Sequence, residues 1–255
     1  MMRRISRNLK YEISISFLAL FIILISVLCF QSLTGFSNWS NLSANISSNR
    51  SLSNRSESME LVCMIYFTGI GCPHCAKTDP VIFKEIVREY NLTIIEYEIY
   101  QTQGNGPIMF DYADFYNKNE WFGIPLVIFS RDRYIIGDSP ILQKIRKVIE
   151  ESGGNKCLLL GKEEYPSQLD INSLPGKPKI WVGERVLVKG ENYLSNNVSL
   201  SLLYSKDPTE VLKEFKDVEQ LSHPCMPYSG GEVCFEHGVK FNGDWEFVWN
   251  GKGLE

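Results

Sequence analysis

The stretch that most limits what this chain can fold into is "ELVCMIYFTGIGCPHCAKTDPVIFKEIVREY", residues 60–90. Its apolar run up to Phe67 has the length of a strand buried on both faces, and it stops at a Gly-containing turn, Thr68 to Gly71. Cys72 and Cys75 follow at once. Beyond them Val81, Ile82, Ile86 and Tyr90 recur at helical spacing. "LTIIEYEIY" predicts a second strand, with Ile94 or Ile95 inward according to register, and "IMFDYADFYNK" a helix. "IPLVIFS" and "RYIIG" predict a hairpin around Arg131 and Asp132. "SPILQKIRKVIEES" predicts a helix with Ser139 as N-cap and Pro140 at the first helical position, ending before Gly153-Gly154. The order is β-α-β-α-β-β-α within residues 60–152.

Two cysteines separated by Pro73 and His74 have three chemical uses: a metal clip, a structural disulfide, or a disulfide that turns over. A metal site lacks a fourth ligand of evident spacing beyond Cys72, His74 and Cys75. A structural disulfide would close a very short loop. Redox turnover is the preferred reading, because the thiolate is the nucleophile in disulfide exchange and a helix N-terminus offers it unpaired N–H groups and a positive dipole end. Pro73 suits the first helical position, and His74 brings a positive charge or a hydrogen bond near Cys72. Cys75, one turn along, would resolve the mixed disulfide.

With these residues in place, 59–152 resembles a thioredoxin-like domain, and the Cys-Pro-His-Cys filling resembles that of DsbA-type thiol oxidases. Four features match in order: the cysteine pair after the first buried strand, Pro80 five residues after Cys75, "GIP" at Gly123, Ile124 and Pro125, and Gly137 after the last strand. The resemblance implies an α/β thioredoxin fold, a central mixed sheet flanked by helices, with Pro125 facing the pair and Ile124 offering its backbone to a substrate chain. It implies a thiol-disulfide oxidoreductase without cofactor. Its partners would be exported protein thiols or disulfides and a membrane redox partner that recycles the pair. The chain also departs from the family. The buried acid expected six residues before the first cysteine is Tyr66, and the nearest acids, Glu60 and Asp79, do not stand at its position. "GIG" replaces the usual Trp-Gly approach, and the 49 residues between Cys75 and Pro125 leave no room for the DsbA helical insertion. The direction of electron flow stays open. A non-catalytic module that binds a metal or a partner is the alternative.

The N-terminus predicts an anchor. A basic tail, 1–12, with Arg3, Arg4, Arg7 and Lys10, precedes 18 uncharged residues from Ile13 to Phe30. As a helix these span about 27 Å, close to a bilayer core. The expectation is a single-pass transmembrane helix over 13–33, N-terminus cytoplasmic and the rest extracytoplasmic, with a cleaved signal peptide as the competing reading, disfavoured by the length of the run and the lack of a small-x-small site after it. Residues 34–58, rich in Ser and Asn, read as a stalk. Its Asn45, Asn49 and Asn54, with Asn91 and Asn197 further on, stand in N-x-S/T triplets and are glycosylation candidates.

A net charge of −4 without a basic stripe gives no reason to expect nucleic acid. Residues 153–255 predict a β-rich extension. Gly176–Glu191 aligns without gaps on Gly123–Asp138, which fits either a degenerate second half or an ordinary hairpin, and "DPTEVLKEFKDVEQL" looks helical. "EVCFEHGVKF" and "DWEFVWNG" alternate like strands joined at Asn242-Gly243, with Trp245 and Trp249 on one side as core. Cys225 and Cys234 predict a structural disulfide. His223 and His237 could join them in a metal site, but the exported context favours the disulfide and no metal is assigned.

Overall fold

The computed structural model describes residues 61–254. β1, Val62–Thr68, and β2, Leu92–Glu98, are buried along their whole length and pair in parallel from Val62↔Leu92 to Thr68↔Glu98. Successive side chains of a strand point to opposite faces, so a strand covered on both sides must be apolar throughout. Cys63, Ile65, Phe67 and Ile95 therefore enter one core, and Met64, Tyr66 and Ile94 enter the other. Both Ile94 and Ile95 are inward, each on its own face.

The first helix, α1, begins at Cys75–Pro80, widens to π geometry over Val81–Ile86 and closes at Val87–Glu89. Pro80 is the reason. It has no N–H for the carbonyl one turn back, and the ladder rearranges immediately after it. α2 is Gly106–Phe115, and β3 (Leu126–Ser130) and β4 (Arg133–Ile136) form the expected hairpin. α3, Asp138–Ser152, starts one residue before the expected cap and follows Gly137, whose φ of 88° suits glycine. It buries Ile141, Ile145 and Ile149.

The fold class is corrected here. β5 (Cys157–Leu159) and β6 (Lys162–Glu164) make a small ribbon. β7 (Lys179–Val182), β8 (Arg185–Val188), β9 (Val218–Gln220), β12 (His237–Phe241) and β13 (Trp245–Trp249) continue the sheet begun by β1 to β4. Its order is β4-β3-β1-β2-β7-β8-β13-β12-β9. The protein is a mixed α/β structure with one nine-stranded sheet and few helices, not a central sheet with a separate β-rich extension. Gly176–Glu191 supplies an ordinary antiparallel hairpin, β7–β8, whose first strand closes the free edge of β2. α4, Asn196–Tyr204, was not evident in the sequence, whereas only Thr209–Leu212, α5, is helical within the segment expected to be a helix. Asn242 and Gly243 take positive φ at the β12–β13 turn, and Trp245 and Trp249 are core on one face.

α2 and α4 lie on one side of the sheet, and α1 and α3 on the other. The second side also receives a two-stranded hairpin, β10 (Cys225–Tyr228) and β11 (Gly231–Cys234), which buries Met226, Tyr228 and Val233 against Phe83 and Trp181.

The single-pass anchor and the localisation built on it are corrected too. Among the described residues no helix is long and apolar enough to cross a membrane, so the anchor is not supported. The segment 13–33, the stalk and Asn45, Asn49 and Asn54 lie outside the described residues. Asn91 and Asn197 are exposed.

Candidate active site

β1 ends at Thr68, and Gly69 to Gly71 turn the chain so that Cys72, Pro73 and His74 lead into α1. Gly69 is required by close approach: a Cβ there would stand 2.7 Å from Ile124 Cδ1 and 2.8 Å from the Tyr100 ring. Glu98, at the end of β2, fixes the same loop by accepting N–H bonds from Ile70, Tyr100, Gln101 and Thr102. Burial pushes its carboxyl up, but the four backbone donors outweigh that and hold it below the usual range.

Cys72 and Cys75 are free and buried. The Cys72 Sγ accepts the Cys75 N–H at 3.3 Å, as a helix N-terminus allows, and lies 4.0 Å from the Ile124 carbonyl. The Ile124–Pro125 peptide is cis, and Pro125 is buried. The structure thus brings Cys72, Cys75, Ile124 and Pro125 together. Pro73 is exposed at the helix entry. His74 turns to Asp138 instead of the sulfur: its Nδ1 is 3.3 Å from Asp138 Oδ2, which Lys77 Nζ also meets at 2.7 Å. Those partners, Lys77 first, hold the Asp138 carboxyl well below the carboxylate range.

Beneath the pair lies a group the sequence did not single out as active. Asp79, one turn beyond Cys75, is fully buried. Its Oδ1 accepts from Tyr66 OH at 2.6 Å and from the Thr68 hydroxyl at 2.8 Å, and its Oδ2 accepts the Ser229 N–H at 2.9 Å. Tyr66 OH also meets Thr78 Oγ1 at 2.9 Å. Burial pushes the Asp79 carboxyl up to about 6 against these donors, and the nearby Glu96 charge adds to the rise. Burial, together with a hydrogen bond to Cys72, pushes the Cys75 thiol well up, while the Thr68 hydroxyl works the other way. Tyr66, where the resemblance leads one to expect an acid, is thus a hydrogen-bond donor to an acid on the helix. Acid at the fourth position after the second cysteine, with a tyrosine and a threonine on β1, is the signal that could have found it.

The β10–β11 hairpin completes the site. Ser229 at its tip also donates through Oγ to the Cys72 carbonyl at 2.9 Å, and Gly230 rests on Ala76. Cys225 and Cys234 are joined in a disulfide across the two strands. A second disulfide, Cys63–Cys157, ties β1 to β5 across 94 residues of sequence. Nothing in the spacing of those two cysteines, each isolated in the chain, announces it.

Among the described residues the one group of His, Cys, Asp or Glu arranged to hold a metal ion is His223, Cys225, Glu232 and Cys234, and it does not include the Cys72–Cys75 pair. His237 is elsewhere, with its ring on Trp249 and its Nε2 2.8 Å from the Gly251 carbonyl. Comparison with protein-family models, curated proteins and solved structures finds no match.

Proposed function

We propose that this chain is a thiol-disulfide oxidoreductase acting on protein thiols or disulfides, with Cys72 bonding the substrate and Cys75 resolving it. The observation that carries this reading is a cysteine pair at a helix start, Sγ on N–H at 3.3 Å, standing over a buried carboxyl near 6. The motif's likeness to DsbA-type oxidases supports it as well.

In the reducing direction the Cys72 thiolate attacks one sulfur of a substrate disulfide. That S–S bond breaks, and the second substrate sulfur leaves with the electron pair and takes a proton. Cys75 then gives up its proton and attacks Cys72 Sγ, expelling the first substrate sulfur and closing the Cys72–Cys75 disulfide. Two electrons have passed to the substrate. Oxidation of a substrate dithiol is the same path reversed. The difficult step is deprotonation of Cys75, whose thiol burial holds protonated. Thr68 touches both Cys75 and the Asp79 carboxylate, so a proton leaving the sulfur passes to Asp79. The Ile124 carbonyl borders the Cys72 sulfur, and Ile124 and half-exposed Tyr100 flank Gly69 in the adjoining loop, where a polypeptide would lie. A second dithiol or disulfide protein restores the pair.

Equilibration of the protein in glutathione buffers, with trapping of Cys72 and Cys75 by alkylation, tests the reading. A reversible couple is expected. A potential near about −120 mV would make it a disulfide donor, and one near about −270 mV a reductant. A pair that never cycles, or stoichiometric metal lost on Cys72→Ser, overturns it.

A further inference from the structure

We propose that the exposed face of the β10–β11 hairpin is a thiol-gated zinc site. When the Cys225–Cys234 disulfide is reduced, His223, Cys225, Glu232 and Cys234 bind one Zn²⁺. The register places these groups together. Cys225 pairs with Cys234 and Pro227 with Glu232, and directly paired residues share a face. Met226 and Val233 occupy the opposite, buried face. His223, two residues before β10, brings its Nε2 to 3.5 Å from Glu232 Oε1. One ligand atom from each of the four residues lies within 4.8 Å of all the others.

That spread is near what zinc needs. Tetrahedral bonds of about 2.0–2.3 Å place ligand atoms roughly 3.3–3.8 Å apart, so the four must close by about an ångström. The closure falls on exposed side chains: those of His223 and Glu232 are 70% and 50% accessible. Two thiolates, one carboxylate and a neutral imidazole suit a borderline-soft dication, leaving a single negative charge in contact with water. The disulfide occupies two of the four ligands, so bridge and metal exclude one another.

The chemistry balances with a protein or small-molecule dithiol as reductant. Its two sulfurs give two electrons to the Cys225–Cys234 bond, Cys225 and Cys234 take two protons, and the reductant leaves as its own disulfide. Zn²⁺ then displaces both protons from the thiols. Because Ser229 between the two strands holds Asp79 and the Cys72 carbonyl, either bridge keeps the hairpin seated on the active site.

The test uses the full chain carrying Cys29→Ser, Cys72→Ser and Cys75→Ser, treated with limiting phosphine so that the accessible Cys225–Cys234 bridge opens while buried Cys63–Cys157 stays closed, as checked by alkylation, and titrated anaerobically with Zn²⁺ against a chromophoric chelator. One equivalent bound at submicromolar affinity is expected after reduction and none before it. Co²⁺ in its place should show the thiolate charge-transfer and tetrahedral ligand-field bands. His223→Ala should weaken binding by at least the roughly tenfold that even outer-shell changes cause. A separate readout is protection of Cys225 and Cys234 from alkylation by Zn²⁺ in the otherwise native chain. Failure of the reduced protein to bind, or binding and protection that persist without His223 and Glu232, overturns the site. Cycling of Cys72 and Cys75 is measured separately and does not depend on either result.

Discussion

Two close cysteine pairs stand on elements that pack together, one at the start of α1 and one at the open end of the β10–β11 hairpin, and they differ in almost every respect. Cys72 and Cys75 are buried, unbridged, and set over a carboxyl and three hydroxyls. Cys234 is exposed and Cys225 half-buried, bridged across two strands, with His223 and Glu232 beside them. Sequence distance does not distinguish a reactive pair from a structural one. What does is the backbone beneath: a helix start aims unpaired N–H groups at one sulfur, whereas a strand pair has spent its N–H groups on its neighbours. Under the proposed function the first pair changes its bonding in turnover, while the second bridges the hairpin that covers it.

The sharpest break between them should come from Cys72→Ser, which removes the sulfur proposed to bond substrate. Disulfide exchange should fall to background, measured by reduction of a protein disulfide, while the thermal midpoint changes little. Cys225→Ala with Cys234→Ala should do the reverse. Loss of a nine-residue bridge should cost about 2.5 kcal/mol of stability by the chain-entropy relation, with exchange retained. Cys63→Ala with Cys157→Ala opens a loop of 94 residues and should cost about 4.7 kcal/mol by the same relation, read from urea denaturation. Equal losses from the two bridges would mean that loop length is not what they contribute.

Asp79→Asn sharpens the contrast differently, because the second pair has no comparable acid. A general base of this kind contributes about a hundredfold or more, so resolution of the mixed disulfide should slow by that order at pH 7. In the wild type the rate should rise with pH through about 6 as the carboxyl ionises and then level. The variant should lose that step. Stability moves the opposite way. A carboxyl whose pKa is raised by folding carries no penalty below about pH 4, where it is protonated folded and unfolded alike. The penalty grows through pH 6 as the buried group must ionise, reaching about 3 kcal/mol for a rise of roughly two pH units. Urea midpoints should therefore fall between pH 4 and 7 in the wild type, and more flatly in Asp79→Asn. A wild-type profile that is flat through pH 6 would remove Asp79 from the mechanism.

How much of this was legible depends on how local each cause is. The β1-loop-α1 passage, the β3–β4 and β12–β13 hairpins and α3 each follow from spacing within one segment. Ile124, joined to Pro125 by a cis peptide, brings its carbonyl to Cys72 where "GIP" stands. The two aligned stretches at Gly123 and Gly176 show where locality ends. Both make hairpins, but β3 lies beside β1 and brings its loop to Cys72, whereas β7 lies beside β2 and meets no sulfur. The extension of the sheet past β2 was illegible because strand order is set by long-range pairing. Asp79 was passed over for the same reason. Its burial depends on Tyr66 and Thr68 from β1 and on Ser229, 150 residues away. His74, whose position points to the sulfur, has its ion-pair partner in Asp138 at the start of α3, a contact set by the tertiary fold.

The smallest expected effect is the most discriminating for the hairpin's role. Ser229→Ala keeps the backbone N–H that Asp79 accepts and removes only the hydroxyl on the Cys72 carbonyl. A single neutral hydrogen bond is worth about 1 kcal/mol, so exchange should fall no more than about fivefold and the pH step near 6 should stay. Ser229→Pro deletes the N–H itself, and with it a donor that lowers the carboxyl. The step should then move to higher pH, because burial is left with fewer opposing hydrogen bonds. A step that stays in place in Ser229→Pro would mean that the hairpin merely covers the site. A step that moves would mean that the C-terminal residues tune the acid on which the first cysteine pair depends.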